Sequence, residues 1–117
     1  MNRVADFLKQ LHLSFPYPYY RRIEILTSSP TVMKARCYIR PDLFVQVYRN
    51  EIFHTTNLAL IYQGQRLYGR DELRGRWHRH PLDNPERHDT TRAARHPVTF
   101  RHFLHEVDQA LRIHHLI

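Results

Sequence analysis

Three glycines, one cysteine and almost no lysine mark what this 117-residue chain goes without. The lone Cys37 excludes an internal disulfide, and a thiol in an apolar strand pattern suits a small core residue in a reducing compartment. With only Gly64, Gly69 and Gly75 there is no glycine-rich loop to cradle phosphates, which argues against nucleotide hydrolysis of the P-loop kind. No apolar run approaches the ~20 residues of a membrane span, and no signal-like apolar stretch opens the chain, so a soluble, cytoplasmic protein is expected. Motifs of the Cys-x-x-Cys or His-Glu-x-x-His type are absent as well.

What the chain does have is arginine. Eighteen basic side chains, sixteen of them Arg, face eleven acids for a net charge of +7. The planar guanidinium matches phosphate in a bidentate fork, so the bias favours a polyanionic partner, although charge of this kind also serves solubility. The length suits one domain, residues 1–117, with a single core.

Val4, Phe7, Leu8 and Leu11 recur at helical spacing and predict a short amphipathic helix near residues 2–13, ended by Pro16 and Pro18. The aromatic cluster Phe15, Tyr17, Tyr19 and Tyr20 can cap a small core or stack nucleobases; capping is the commoner use. Strands are predicted over 23–27, 32–39 and 43–48. In the second, Met33, Ala35, Cys37 and Ile39 alternate with Lys34 and Arg36, the pattern of an antiparallel strand with one solvated side. Residues 57–62 and 66–69 around Gln63-Gly64-Gln65 read as a hairpin. At the C-terminus Phe100, Phe103, Leu104, Val107 and Leu111 form a helical stripe, with Thr99 as N-cap and Val98 and Phe103 at the staple positions. The expectation is an α+β fold: an antiparallel sheet of four to five strands, with the N- and C-terminal helices packed on one face.

Between the hairpin and the last helix the composition changes. Residues 69–88 hold three histidines, five arginines, four carboxylates and the only tryptophan, with no aliphatic run to bury. A long exposed functional loop near 70–97 is therefore expected. His78 and His80, two residues apart, point to one side of an extended segment with Arg76, while Trp77 and Arg79 point to the other. Two imidazoles beside a guanidinium suit metal-free phosphodiester transfer: one takes a proton from a ribose 2′-hydroxyl, the other protonates the leaving oxygen. Arg70, Arg76 and Arg79 would hold phosphate, His88 or Asp71 would orient the imidazoles, and Trp77 would stack an unpaired base. No cofactor is needed. The rival chemistry is a metal site of His78, His80 and His88 with Asp71 or Asp83; its spacing is unfamiliar, and the crowd of arginines disfavours a cation.

These residues also carry a resemblance. Arg70-Asp71, then Trp77-His78-Arg79-His80-Pro81, then Pro85 and His88 resemble the arginine-aspartate and proline-histidine signature of the TumE-like toxin family of prokaryotic toxin-antitoxin systems. Where that family tends to show an asparagine soon after the aspartate and two adjacent histidines, this chain has Glu72 and His-Arg-His. The resemblance covers about the second half of the chain. It implies a toxin, RNA-directed, restrained by a helix-turn-helix antitoxin protein. Three functions therefore stand after the sequence: an RNA-cleaving protein of toxin type, a binding module for nucleic acid or protein that breaks no bond, and a metal-dependent phosphodiesterase. Self-association as a homodimer is left open.

Overall fold

The computed structural model describes residues 3–14, 16–81 and 89–117, the side chains of residues 3, 13 and 14 excepted. Helix α1 spans Arg3–Gln10 and runs into a 3₁₀ turn, Leu11–Ser14. Six strands follow: β1 Arg22–Ser28, β2 Val32–Arg40, β3 Leu43–Asn50, β4 Thr55–Tyr62, β5 Gln65–Leu73 and β6 Arg76–His80. Helix α2, Phe100–Ile113, ends the chain. The strands pair antiparallel in sequence order, β1-β2-β3-β4-β5-β6, as one meander.

The α+β class and the antiparallel sheet agree with expectation, but there are six strands, not four or five. The additional strand is β6, and it corrects the long loop expected near 70–97. Residues 70–73 complete β5, Arg74-Gly75 makes a two-residue turn, and residues 76–80 return as a strand. Arg74 and Gly75 both adopt positive φ (53° and 82°), as do Gln63 and Gly64 (51° and 78°). That is the type I′ geometry that matches the twist of a hairpin, and glycine adopts it at the second position without steric cost.

Both helices cover the same face. Met33, Ala35, Cys37, Val45, Val47, Leu58 and Leu60 meet Val4, Leu11, Phe100, Phe103, Leu104, Val107 and Leu111 in one core. Five side chains of the α2 stripe, Phe100, Phe103, Leu104, Val107 and Leu111, are wholly buried, each worth ~1.5–3 kcal/mol of transfer free energy. Thr99 caps α2 as expected, its hydroxyl accepting from His102 N at 3.0 Å. Tyr20 is buried in the core, and the Tyr19 hydroxyl donates to Asp108 Oδ1 at 2.7 Å. The described tyrosines of the aromatic cluster thus brace the helix side; Phe15 lies outside the described residues.

A charged group also lies on the helix side. Arg49, 1% exposed, donates to Glu72 Oε1 at 2.7 Å, Thr56 Oγ1 at 2.9 Å and Glu51 Oε1 at 3.1 Å. Such a charge is tolerated in a core only with partners of this number and quality. Among the described residues no helix is long and apolar enough to cross a membrane.

Candidate functional site

The turn at Arg74-Gly75 fixes the β5–β6 register, which sets Asp71 opposite His78, Arg70 opposite Arg79, Glu72 opposite Trp77 and Gly69 opposite His80. Because side chains alternate across a strand, this pairing sorts the segment between two faces. Asp71, His78 and His80 fall on the face away from the helices. Arg70, Glu72, Trp77 and Arg79 fall on the helix side.

On the first face Asp71 Oδ2 lies 2.9 Å from His80 Nε2 and 3.4 Å from His78 Nε2. The two imidazoles stand edge to face, their centroids 5.3 Å apart. All three side chains are buried, at 7% or less of residue exposure, which corrects the expectation that His78 and His80 project from an open loop. Asn57 on β4 donates to Asp71 Oδ1 at 2.7 Å, so one carboxylate oxygen is anchored while the other meets the imidazoles. Arg66 Nη1 stands 4.0 Å from the same Oδ2, with a third of its side chain exposed. Gly69 leaves the position across from His80 without a side chain; a Cβ there would come within 3.1 Å of the Leu58 carbonyl oxygen and 3.3 Å of Arg66 Cδ.

Arg70 and Arg79, expected to hold phosphate, are turned to the helix side and engaged by the protein itself. Arg70 forks onto Glu106 at 3.1 and 2.6 Å and donates to the Ala94 carbonyl at 3.2 Å. Arg79 ion-pairs with Asp89, whose backbone also exchanges two hydrogen bonds with that of Arg79. A Thr91 N–H and the Arg79 guanidinium hold the Asp89 carboxyl well below the usual carboxylate range. Trp77, expected to stack a free base, belongs to the core and is 7% exposed. His88 and Asp83 lie outside the described residues.

Beside His78 a cleft of about 650 Å³ runs along β6, bordered by Arg76, Trp77, His78, Thr90 and Arg95 among others. Arg76 shares the histidine face and is exposed, as expected. Arg95, exposed across the cleft, carries no motif, and only the return of the chain past β6 brings it there. Farther along the same face Arg22 lies over the Tyr38 ring at 4.4 Å and Arg36 over the Phe44 ring at 4.8 Å, with the two rings 5.1 Å apart. The alternation of β2 and β3 puts these cations and rings opposite the core.

No protein-family model, curated protein or solved structure matches the chain.

Proposed function

We propose that the chain is a small RNA-cleaving protein of toxin type, with Asp71, His78 and His80 as its reaction centre and Arg76 and Arg95 as the cations that receive phosphate. One observation carries the reading: the buried carboxylate with two imidazoles borders, through His78, a cleft flanked by those two exposed arginines. Buried polar groups in a small domain are costly unless satisfied, and clusters of them beside a cleft are where chemistry concentrates. The arginine and aromatic pairs of Arg22, Tyr38, Phe44 and Arg36 extend the same face and suit a single strand, whose bases stack on rings and whose phosphates meet guanidinium groups. The toxin assignment and a helix-turn-helix antitoxin as partner rest on the resemblance at Arg70-Asp71 and Trp77 to His88.

Cleavage by way of the ribose 2′-hydroxyl requires a base at that oxygen, an acid at the leaving 5′-oxygen and stabilisation of charge on phosphorus. Asp71 Oδ2, 2.9 Å from His80 Nε2 and 3.4 Å from His78 Nε2, supports the orienting role proposed for it. The second reading, a metal-dependent phosphodiesterase, gains from one specific feature: a nitrogen of each imidazole and an oxygen of Asp71 gather within 4.8 Å of one another, close enough to share an ion. The sequence objection to it weakens, because Arg70 and Arg79 are neutralised on the far side of the sheet.

The test is incubation of the pure chain with an unstructured RNA. Cleavage that disappears in His80→Ala while RNA affinity persists is the expected result. A folded protein that binds RNA and cuts none would instead leave the binding module as the better account.

A further inference from the structure

We infer that Asp71, His78 and His80 bind one divalent transition-metal ion of the zinc, iron or manganese class. This deepens the second reading, the metal-dependent phosphodiesterase, in which the two imidazoles are ligands and not acid and base; its catalytic meaning rests on that reading, whereas binding of the ion does not.

The donor set comes first. Two imidazole nitrogens with one carboxylate oxygen suit these ions, while magnesium and calcium prefer all-oxygen sites. Candidate ligand atoms of the three residues all lie within 4.8 Å of one another. Metal–nitrogen and metal–oxygen bonds of ~2.0–2.2 Å put neighbouring ligand atoms ~2.9 Å apart in an octahedral arrangement and ~3.4 Å apart in a tetrahedral one. The separations from Asp71 Oδ2, 2.9 Å to His80 Nε2 and 3.4 Å to His78 Nε2, fall in that range; the shorter is a hydrogen bond that the ion would replace.

The surroundings fit as well. The Asn57 amide holds Asp71 Oδ1 at 2.7 Å, an outer partner of the kind that fixes a ligating carboxylate. All three ligands sit on two hydrogen-bonded strands, with Asp71 directly across from His78, so little ordering is left to do when an ion arrives. Three protein ligands leave coordination positions for water or substrate, the arrangement of catalytic rather than structural sites. One feature opposes the ion: Arg66, 4.0 Å from Asp71 Oδ2, competes for the same oxygen. Its side chain is a third exposed and free to swing outward, which gives the proposal a second, independent test.

Untagged full-length protein, stripped with EDTA and dialysed free of it, is titrated with zinc and with manganese in the absence of RNA, with affinity measured by calorimetry and Tm recorded. The expected result is one ion per chain with a rise in Tm. Asn57→Ala should weaken binding ~10–100-fold, the usual cost of an outer partner, and Asp71→Asn or His80→Ala by more. Arg66→Met should tighten it, an effect that damage to the fold cannot imitate and that decides the matter if a ligand variant fails to fold. Absence of binding, or equal affinity in Asp71→Asn, would overturn the inference; the latter would move the ion to surface histidines such as His114 and His115. Binding without RNA cleavage would uphold the metal site and count against the RNA reading, whereas cleavage undiminished in EDTA would uphold the RNA reading and overturn the ion's part in the reaction.

Discussion

Arg70 separates two accounts of the arginine-rich segment, one in which its charge meets substrate and one in which it holds the fold together. Its side chain is 5% exposed and its partner Glu106 15%, and the fork is completed by the Ala94 carbonyl. Arg70→Met keeps the apolar stem and removes the charge, leaving the Glu106 carboxylate with no cation but the exposed His102, 3.7 Å away, and with the neutral Tyr68 hydroxyl. Breaking a buried pair from one side costs ~3–5 kcal/mol, and the residual access of Glu106 to water puts this case near the lower end. At ~2.1 cal/mol/K per residue the unfolding entropy of 117 residues is ~250 cal/mol/K, so ~3 kcal/mol corresponds to a Tm lower by ~12 °C. Arg70→Lys, which restores charge without the fork, should fall between, and Arg70→Met combined with Glu106→Leu should recover much of the loss because no charge is left stranded. Thermal melts followed by circular dichroism give the stabilities, and RNA affinity is measured below each melting range. A variant that melts like the parent yet loses RNA binding would refute the structural role and return Arg70 to the substrate.

Three further outcomes follow from the same geometry. Arg49→Met should lower stability by ~3–5 kcal/mol by removing the cation that Glu72 pairs with in the core, as chemical denaturation would register. The Asp89 carboxyl, held low by Thr91 and Arg79, contributes stability that is present above the ordinary carboxylate value of ~3.9 and lost as pH falls through its depressed value; Asp89→Asn should therefore flatten the decline in Tm below about pH 4, and an unchanged decline would remove Asp89 as a source. Arg76→Ala and Arg95→Ala should each reduce RNA affinity and lower the slope of log affinity against log salt by ~0.7, the increment for one phosphate contact with a single strand; slopes equal to that of the parent would take both side chains out of the interface.

Much of the scaffold was legible because its signals are local. Alternation in β2 and the stripe and cap of α2 depend only on neighbours in sequence. Strand β6 was hidden by its composition: Arg76-Trp77-His78-Arg79-His80 contains no aliphatic residue, and polar density reads as surface. The polar side chains of the sheet beside it are buried by long-range pairing. Arg70 finds Glu106 thirty-six positions away and Arg49 finds Glu72 twenty-three away, and no spacing rule anticipates either. One local signal was available. Arg74-Gly75 is the same kind of residue-glycine pair as Gln63-Gly64, and reading it as a two-residue turn pairs residues 71 and 78 by arithmetic. That His78 and His80 share a side and Arg79 does not follows from their spacing; that Asp71 joins them follows from the turn. Arg95 had no such marker, since only the chain's return past β6 at Asp89 places it at the cleft.

The most direct measurement is the single-turnover rate of RNA cleavage by Asp71→Asn against the parent chain, at equal RNA occupancy, with zinc or manganese present. The account predicts a loss of ~10²–10⁴-fold, the scale of removing a positioned acid, base or orienting group, with RNA affinity nearly unchanged and the fold intact by circular dichroism. Cleavage by a folded Asp71→Asn at the parental rate would contradict it, because the reaction would then run without the one carboxylate that both imidazoles share.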